Sequence, residues 1–210
     1  MTARTLADAL RWAEEGTGMF LDGVRGLDER GFGAPCGLPG WTRGHLVAHV
    51  AANAEALGNL VRWAATGEPT PMYASPEERA AGIERGGRTG GAELTAWLVR
   101  ACDGLRAGMG GLTGEQWGRE VVTAQGRTVP ASEVPWLRSR EVLVHAVDLG
   151  TGAGFGDLPD GFLRALVADA AAKRGLDAAA LPDGPRPEVA AWLTGRPHAL
   201  ADAPLLGPWL

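Results

Sequence analysis

Apolar side chains recur at helical spacing along most of the chain. Leu6, Leu10, Ala13, Phe20, Val24 and Leu27 predict a helix over 5–27. Gly16 and Gly18 weaken its middle and leave room for a kink. A loop dense in Gly and Pro follows at 31–41. Thr42 is placed to cap a second helix over 43–66, with the stripe Leu46, Val50, Ala54, Leu57 and Val61. Gly67, Pro69 and Pro71 end it, and the polar stretch 72–91 holds a short helix around 76–84. A third long helix over 92–109 gathers Leu94, Leu98, Leu105 and Met109 on one face. Residues 120–130 alternate and turn at Gly126, as a small hairpin or an extended crossover. Ser132 reads as the cap of a fourth long helix over 133–149, closed by Gly150 and Gly152.

Beyond 153 the pattern changes. One helix falls in the run from Leu158 to Gly175, a shorter one in PEVAAWLTGR, and the tail is rich in proline. No internal repeat is visible. The expected fold is mainly α: an antiparallel four-helix bundle over 1–152, with a short, mostly helical C-terminal extension over 153–210.

Composition narrows the function. Hydrophobic residues make up 45% of 210 and the mean hydropathy is -0.06, which suits a core-forming globular chain. No apolar run approaches the ~20 residues of a membrane span. The N-terminal MTARTLADALRWAEE carries acids early and lacks an apolar signal core, so the expected location is the cytoplasm. The net charge is -5 and no basic stripe exists, which disfavours nucleic acid as a partner. Cys36 and Cys102 have no metal-type spacing and read as incidental thiols. Trp41, Trp97, Trp136 and Trp192, at helix starts or apolar faces, read as packing.

Candidate chemistry sits on the fourth helix. Its inward stripe should run Val134, Leu137, 141, 144 or 145, and 148. Two of those positions are Glu141 and His145, one turn apart on one face, with Asp148 a turn later. Burying them unpaired costs several kcal/mol, roughly, so a partner is needed. On the second helix, His45 and His49 share a face beside the apolar stripe. If the two helices are neighbours, His49 meets Glu141 and His145. Two imidazoles and one carboxylate leave open coordination positions, as in catalytic rather than structural zinc sites. The competing reading is a buried His–carboxylate hydrogen-bond pair with no metal. His45 reads as a histidine of the outer shell or the surface, and Asp148 as an orienter of a ligand imidazole.

The runs GWTRGHLVAHVAANAEAL, PMYASPEERAAGIERGGR, PASEVPWLRSREVLVHAVDLGTG and AAWLTGR closely resemble the mycothiol-dependent maleylpyruvate isomerase family, within the wider DinB-like group of metal-binding bundles. The resemblance covers 5–152 well and the tail more loosely. It implies His49, Glu141 and His145 as ligands of a divalent metal, usually zinc, and mycothiol as thiol cofactor. It implies a catalytic role for Arg79, after the Met-Tyr pair, and cofactor binding by Arg196 in WLTGR. A guanidinium suits a dianionic substrate, because its fork engages a carboxylate in two bonds. One departure is visible: 153–187 holds no convincing strands, where the family carries an α/β domain, so the C-terminal part reads as reduced.

The implied activity is cis–trans isomerisation of maleylpyruvate to fumarylpyruvate by reversible thiolate addition. The alternatives are a mycothiol S-transferase acting on another electrophile, and a non-catalytic metal- or ligand-binding bundle. The expected partners are a small electrophile and a low-molecular-weight thiol, without nucleic acid or membrane, in a monomer or homodimer.

Overall fold

A computed structural model describes residues 4–207; the last residues of the proline-rich tail lie outside it. The chain divides into two compact units, one spanning Thr5–Gly152 and the other containing Ala153–Leu210.

In the first unit, α1 (Leu6–Arg25) starts at Thr5, whose hydroxyl accepts from the Asp8 amide while the Asp8 carboxylate accepts from the Thr5 amide. The helix is unbroken through Gly16 and Gly18. Gly16 is buried because α1 meets a later helix there: an added Cβ would lie 2.6 Å from Leu143 Cγ and Val142 Cγ2. The residue expected to weaken the helix instead lets two backbones approach.

The short α2 (Glu29–Gly33) leads into the Gly/Pro loop and then α3 (Arg43–Thr66). Thr42 caps α3, and its reciprocal partner is His45, whose Nδ1 lies 2.7 Å from the Thr42 hydroxyl. His45 is therefore tied to the helix start. α3 is the central element, with Leu46, Val50, Ala54, Leu57 and Leu60 fully buried. It packs against α5 (Gly91–Gly110), α7 (Val134–Asp148) and the amphipathic α4 (Pro76–Gly86). α1 packs chiefly on α7. α4 runs slightly longer than its pattern predicts, and at its end Gly86 lies against α3, where a Cβ would sit 2.5 Å from that of Ala48.

The stretch before α7 is a one-turn α6 (Gly114–Trp117) and a hairpin of β1 (Glu120–Val122) and β2 (Thr128–Pro130). The two strands pair antiparallel with Val121 opposite Val129, both buried. Ser132 is not a helix cap. It lies in a 3-10 turn, Ala131–Glu133, and α7 begins at Val134 with a proline in its first turn.

The second unit holds α8 (Asp160–Lys173) and α9 (Arg186–Leu193), and no strand among its described residues. Its small core is Ala170, Ala171, Val189, Trp192 and Leu193. The Trp192 indole N–H donates to the Pro204 carbonyl at 2.7 Å, pinning the tail to α9. Among the described residues no helix is long and apolar enough to cross a membrane.

Candidate metal centre

Helices α3 and α7 bring the predicted residues to one point. His49 Nε2 lies 3.0 Å from Glu141 Oε2, and His145 Nε2 lies 3.4 Å from the same oxygen. The imidazole rings are 5.1 Å apart at their centroids and nearly perpendicular, at 83°. Ligand atoms of the three residues all fall within 4.8 Å of one another. Such spacing lets one small cation touch all three. The donor set, two imidazoles and a carboxylate, is that of a zinc site with open positions.

The surroundings orient these side chains. His145 Nδ1 lies 2.8 Å from Oδ2 of the buried Asp148, which leaves Nε2 facing the centre. The ring of Trp41 meets that of His49 edge-to-face at 5.5 Å. Arg79 Nη2 lies 3.4 Å from His49 Nδ1, and its guanidinium stands 5.6 Å over the Tyr73 ring. Three residues read as outer shell, packing or nothing at all thus have defined places: Asp148 behind His145, Trp41 beside His49, and Tyr73 under Arg79.

Electrostatics separate the three donors. Burial holds His49 below the ordinary imidazole value, despite the pull of Glu141. Burial also opposes the charge of His145, but hydrogen bonds to Asp148 and Glu141 prevail and raise its pKa. Burial likewise opposes charge on Glu141, yet hydrogen bonds from His145 and His49 keep its carboxyl well below the usual range. The cluster without a metal is thus an ionised carboxylate between a histidine that resists a proton and one that holds it. Burial pushes the phenol of Tyr73 up, so it keeps its proton at neutral pH. Burial likewise raises Cys36 and Cys102, and neither joins the cluster.

One buried group had no place in the expected stripe. Arg138 is 1% exposed and takes the inward position assigned to Leu137, which is only partly buried. The inward spacing is 134, 138, 141, 145, 148, alternating four and three, and the sequence signal for it was a charged residue one turn before Glu141. The Arg138 guanidinium donates to the Val50 carbonyl and to Asn53 Oδ1, both at 2.9 Å, and to Cys102 Sγ at 3.1 Å. It ties α7 to α3 and α5 one turn from the cluster.

A groove of about 430 Å³ adjoins the cluster, with Tyr73 and Arg79 in its wall. Trp97, expected mainly to pack, also lines it and donates its indole N–H to Glu55 Oε1 at 2.7 Å. Arg196 lies in the second unit, just past α9, where its Nη1 donates to the Thr194 carbonyl.

Fold and site define a class: a DinB-like helical bundle with a His–Glu–His cluster between two helices. The family model described as the mycothiol maleylpyruvate isomerase N-terminal domain matches residues 13–150. A crystal structure of the mycothiol-dependent maleylpyruvate isomerase superposes with a TM-score of 0.91 at 36% identity, covering 100% of both chains. A crystal structure of a histidine-to-alanine mutant of that enzyme gives 0.91 at 35% identity, again over 100% of both chains. Comparison with curated protein sequences gives no match. The chain belongs to the mycothiol-dependent maleylpyruvate isomerase family. The C-terminal part is included in the match, so the expected reduction of that part does not appear against this relative.

Proposed function

We propose that this protein is a metal- and mycothiol-dependent cis–trans isomerase of maleylpyruvate or a closely related unsaturated diacid, acting in the cytoplasm with zinc held by His49, Glu141 and His145. The observation that carries the reading is the convergence of three donors from two helices within 4.8 Å, inside a chain of this family. A bound zinc ion would favour the thiolate form of the cofactor at neutral pH, which is the form that adds to an activated double bond.

The chain's own residues do the rest. Asp148 fixes the His145 ring, with Nδ1 towards the carboxylate and Nε2 towards the centre. Arg79 has two situations. While His49 Nδ1 is unprotonated, the guanidinium donates to it at 3.4 Å. With Nε2 holding a metal, the neutral imidazole would carry its proton on Nδ1 and could not accept. Arg79 would then be free to engage a substrate carboxylate with its paired N–H groups. Trp41 sets an aromatic edge against His49, and Tyr73 lies under Arg79. Arg196 is assigned to cofactor binding on the strength of the WLTGR run.

The test is turnover with mycothiol, maleylpyruvate and zinc. We expect cis-to-trans conversion that vanishes, together with bound metal, in His49→Ala and Glu141→Ala. Full activity in metal-free protein would refute the mechanism. Stable thiol adducts with other electrophiles, without conversion of maleylpyruvate, would instead assign an S-transferase.

A further inference from the structure

The groove beside the cluster carries a second guanidinium. Arg79, Gly82 and Arg85 of α4 all line it, together with Asn59 and Tyr73. A Cβ built on Gly82 would find Arg85 Nη2 at 3.9 Å and no other atom within 4 Å. The exposed Arg85 side chain therefore passes beside Gly82 with its guanidinium on the groove wall. Among the described residues no carboxylate pairs with it, whereas the neighbouring Arg88 lies 3.5 Å from Glu84. Glu55 and Glu78 also line the groove, and Glu55 is engaged by the Trp97 indole.

Arg79 and Arg85 are six positions apart, a rise of ~9 Å along a helix. The carboxylates of an extended seven-carbon diacid lie ~7 Å apart. We propose that the groove is a dicarboxylate site, with Arg79 holding the carboxylate nearer the His49 centre and Arg85 the distal one. Arg85 then sets specificity for a second negative charge, and the glycine between the two arginines leaves the chain room to lie against α4. This assignment rests on the reading of a diacid substrate above, but concerns a residue that the reading does not use.

Binding of pimelate, an unreactive seven-carbon diacid, tests it without turnover. Calorimetric titration compares pimelate with its monomethyl ester on the intact protein, Arg85→Gln and Arg85→Lys. Because Arg85 is exposed on α4, unchanged thermal melting of the variants is the folding control. We expect the wild type to prefer pimelate over the monoester about tenfold or more. Arg85→Gln should erase that preference, and Arg85→Lys should keep part of it. Equal binding of the two ligands to the wild type, no binding of pimelate, or an intact preference in Arg85→Gln overturns the proposal. A retained diacid preference in a protein that fails to isomerise maleylpyruvate would instead sink the function and leave this site standing.

Discussion

Helix α7 has two faces that differ in kind. Towards α1 it offers Val142 and Leu143, closed over Gly16, and Trp136, whose ring meets Trp12 edge-to-face at 6.1 Å. That face is a packing surface: apolar, tight, and intolerant of added volume. Towards α3 the same helix offers Arg138, Glu141 and His145, polar groups held by hydrogen bonds. The contrast teaches that one helix both anchors the bundle and presents the candidate metal donors, by dividing the tasks around its circumference. Rigidity on the first face lets ligands on the second keep their geometry without being packed.

Substitutions at Gly16 on the first face and at the cluster histidines on the second should therefore separate stability from metal binding, with the buried Arg138 bracing the second face. The largest effect is expected from His49→Ala, which removes a ligand. Zinc affinity should fall by more than about a hundredfold, beyond the loss typical of outer-shell changes. A competition titration with a chromophoric chelator reads this, and wild-type affinity in the variant would contradict the assigned centre. Arg138→Ala tests the link between α7 and α3. It leaves Asn53 without its buried donor and opens a cavity, costing about 2–4 kcal/mol in chemical denaturation. A neutral result would mean that the buried guanidinium contributes nothing to holding the helices.

Asp148→Asn should lower zinc affinity by roughly 10–100-fold with little change in fold, because the partner of His145 Nδ1 loses its charge. Gly16→Ala probes the opposite face. The extra methyl must displace Leu143 or Val142, so a loss of about 1–3 kcal/mol is expected with zinc affinity unchanged. If affinity fell as well, the division between the two faces would be wrong.

The smallest expected effect is in pH dependence. The raised pKa of His145 means that its stabilising contribution to metal-free protein is complete below the ordinary imidazole value of ~6.5. That contribution disappears as the pH rises through the folded-state value. Zinc binding runs the other way, since Nε2 must be unprotonated. Affinity should begin to decline on acidification while still above ~6.5, at the His145 step, with the lowered His49 contributing only at more acidic pH. Affinity that stays flat down to ~6 would show that His145 is not held in its charged form.

Much of this arrangement is legible in the amino-acid order. The helical periods, the Thr42 cap and the turn at Gly126 follow from local spacing and turn chemistry, while the pairing of β1 with β2 closed a choice between hairpin and crossover that local spacing leaves open. Glu141 and His145 stand out because charged groups interrupt an apolar stripe. The errors have local causes as well. Ser132 resembles a helix cap, but Pro135 shifts the first α-helical turn past it and leaves a 3-10 turn in its place. An apolar stripe favours Leu137 over Arg138 at the inward position, yet Arg138 finds acceptors on two other helices.

The sequence by itself determined which segments are helical, which residues could serve as metal donors, and the family to which the chain belongs. Only the tertiary structure decided that α3 and α7 lie close enough for His49 to meet Glu141. It also decided that Gly16 is a contact rather than a weak point, and that Arg85 lies along a groove. The reason is that periodicity and capping act within a few residues of one helix. Donors 92 positions apart meet only through packing of whole faces, which no short stretch of chain encodes.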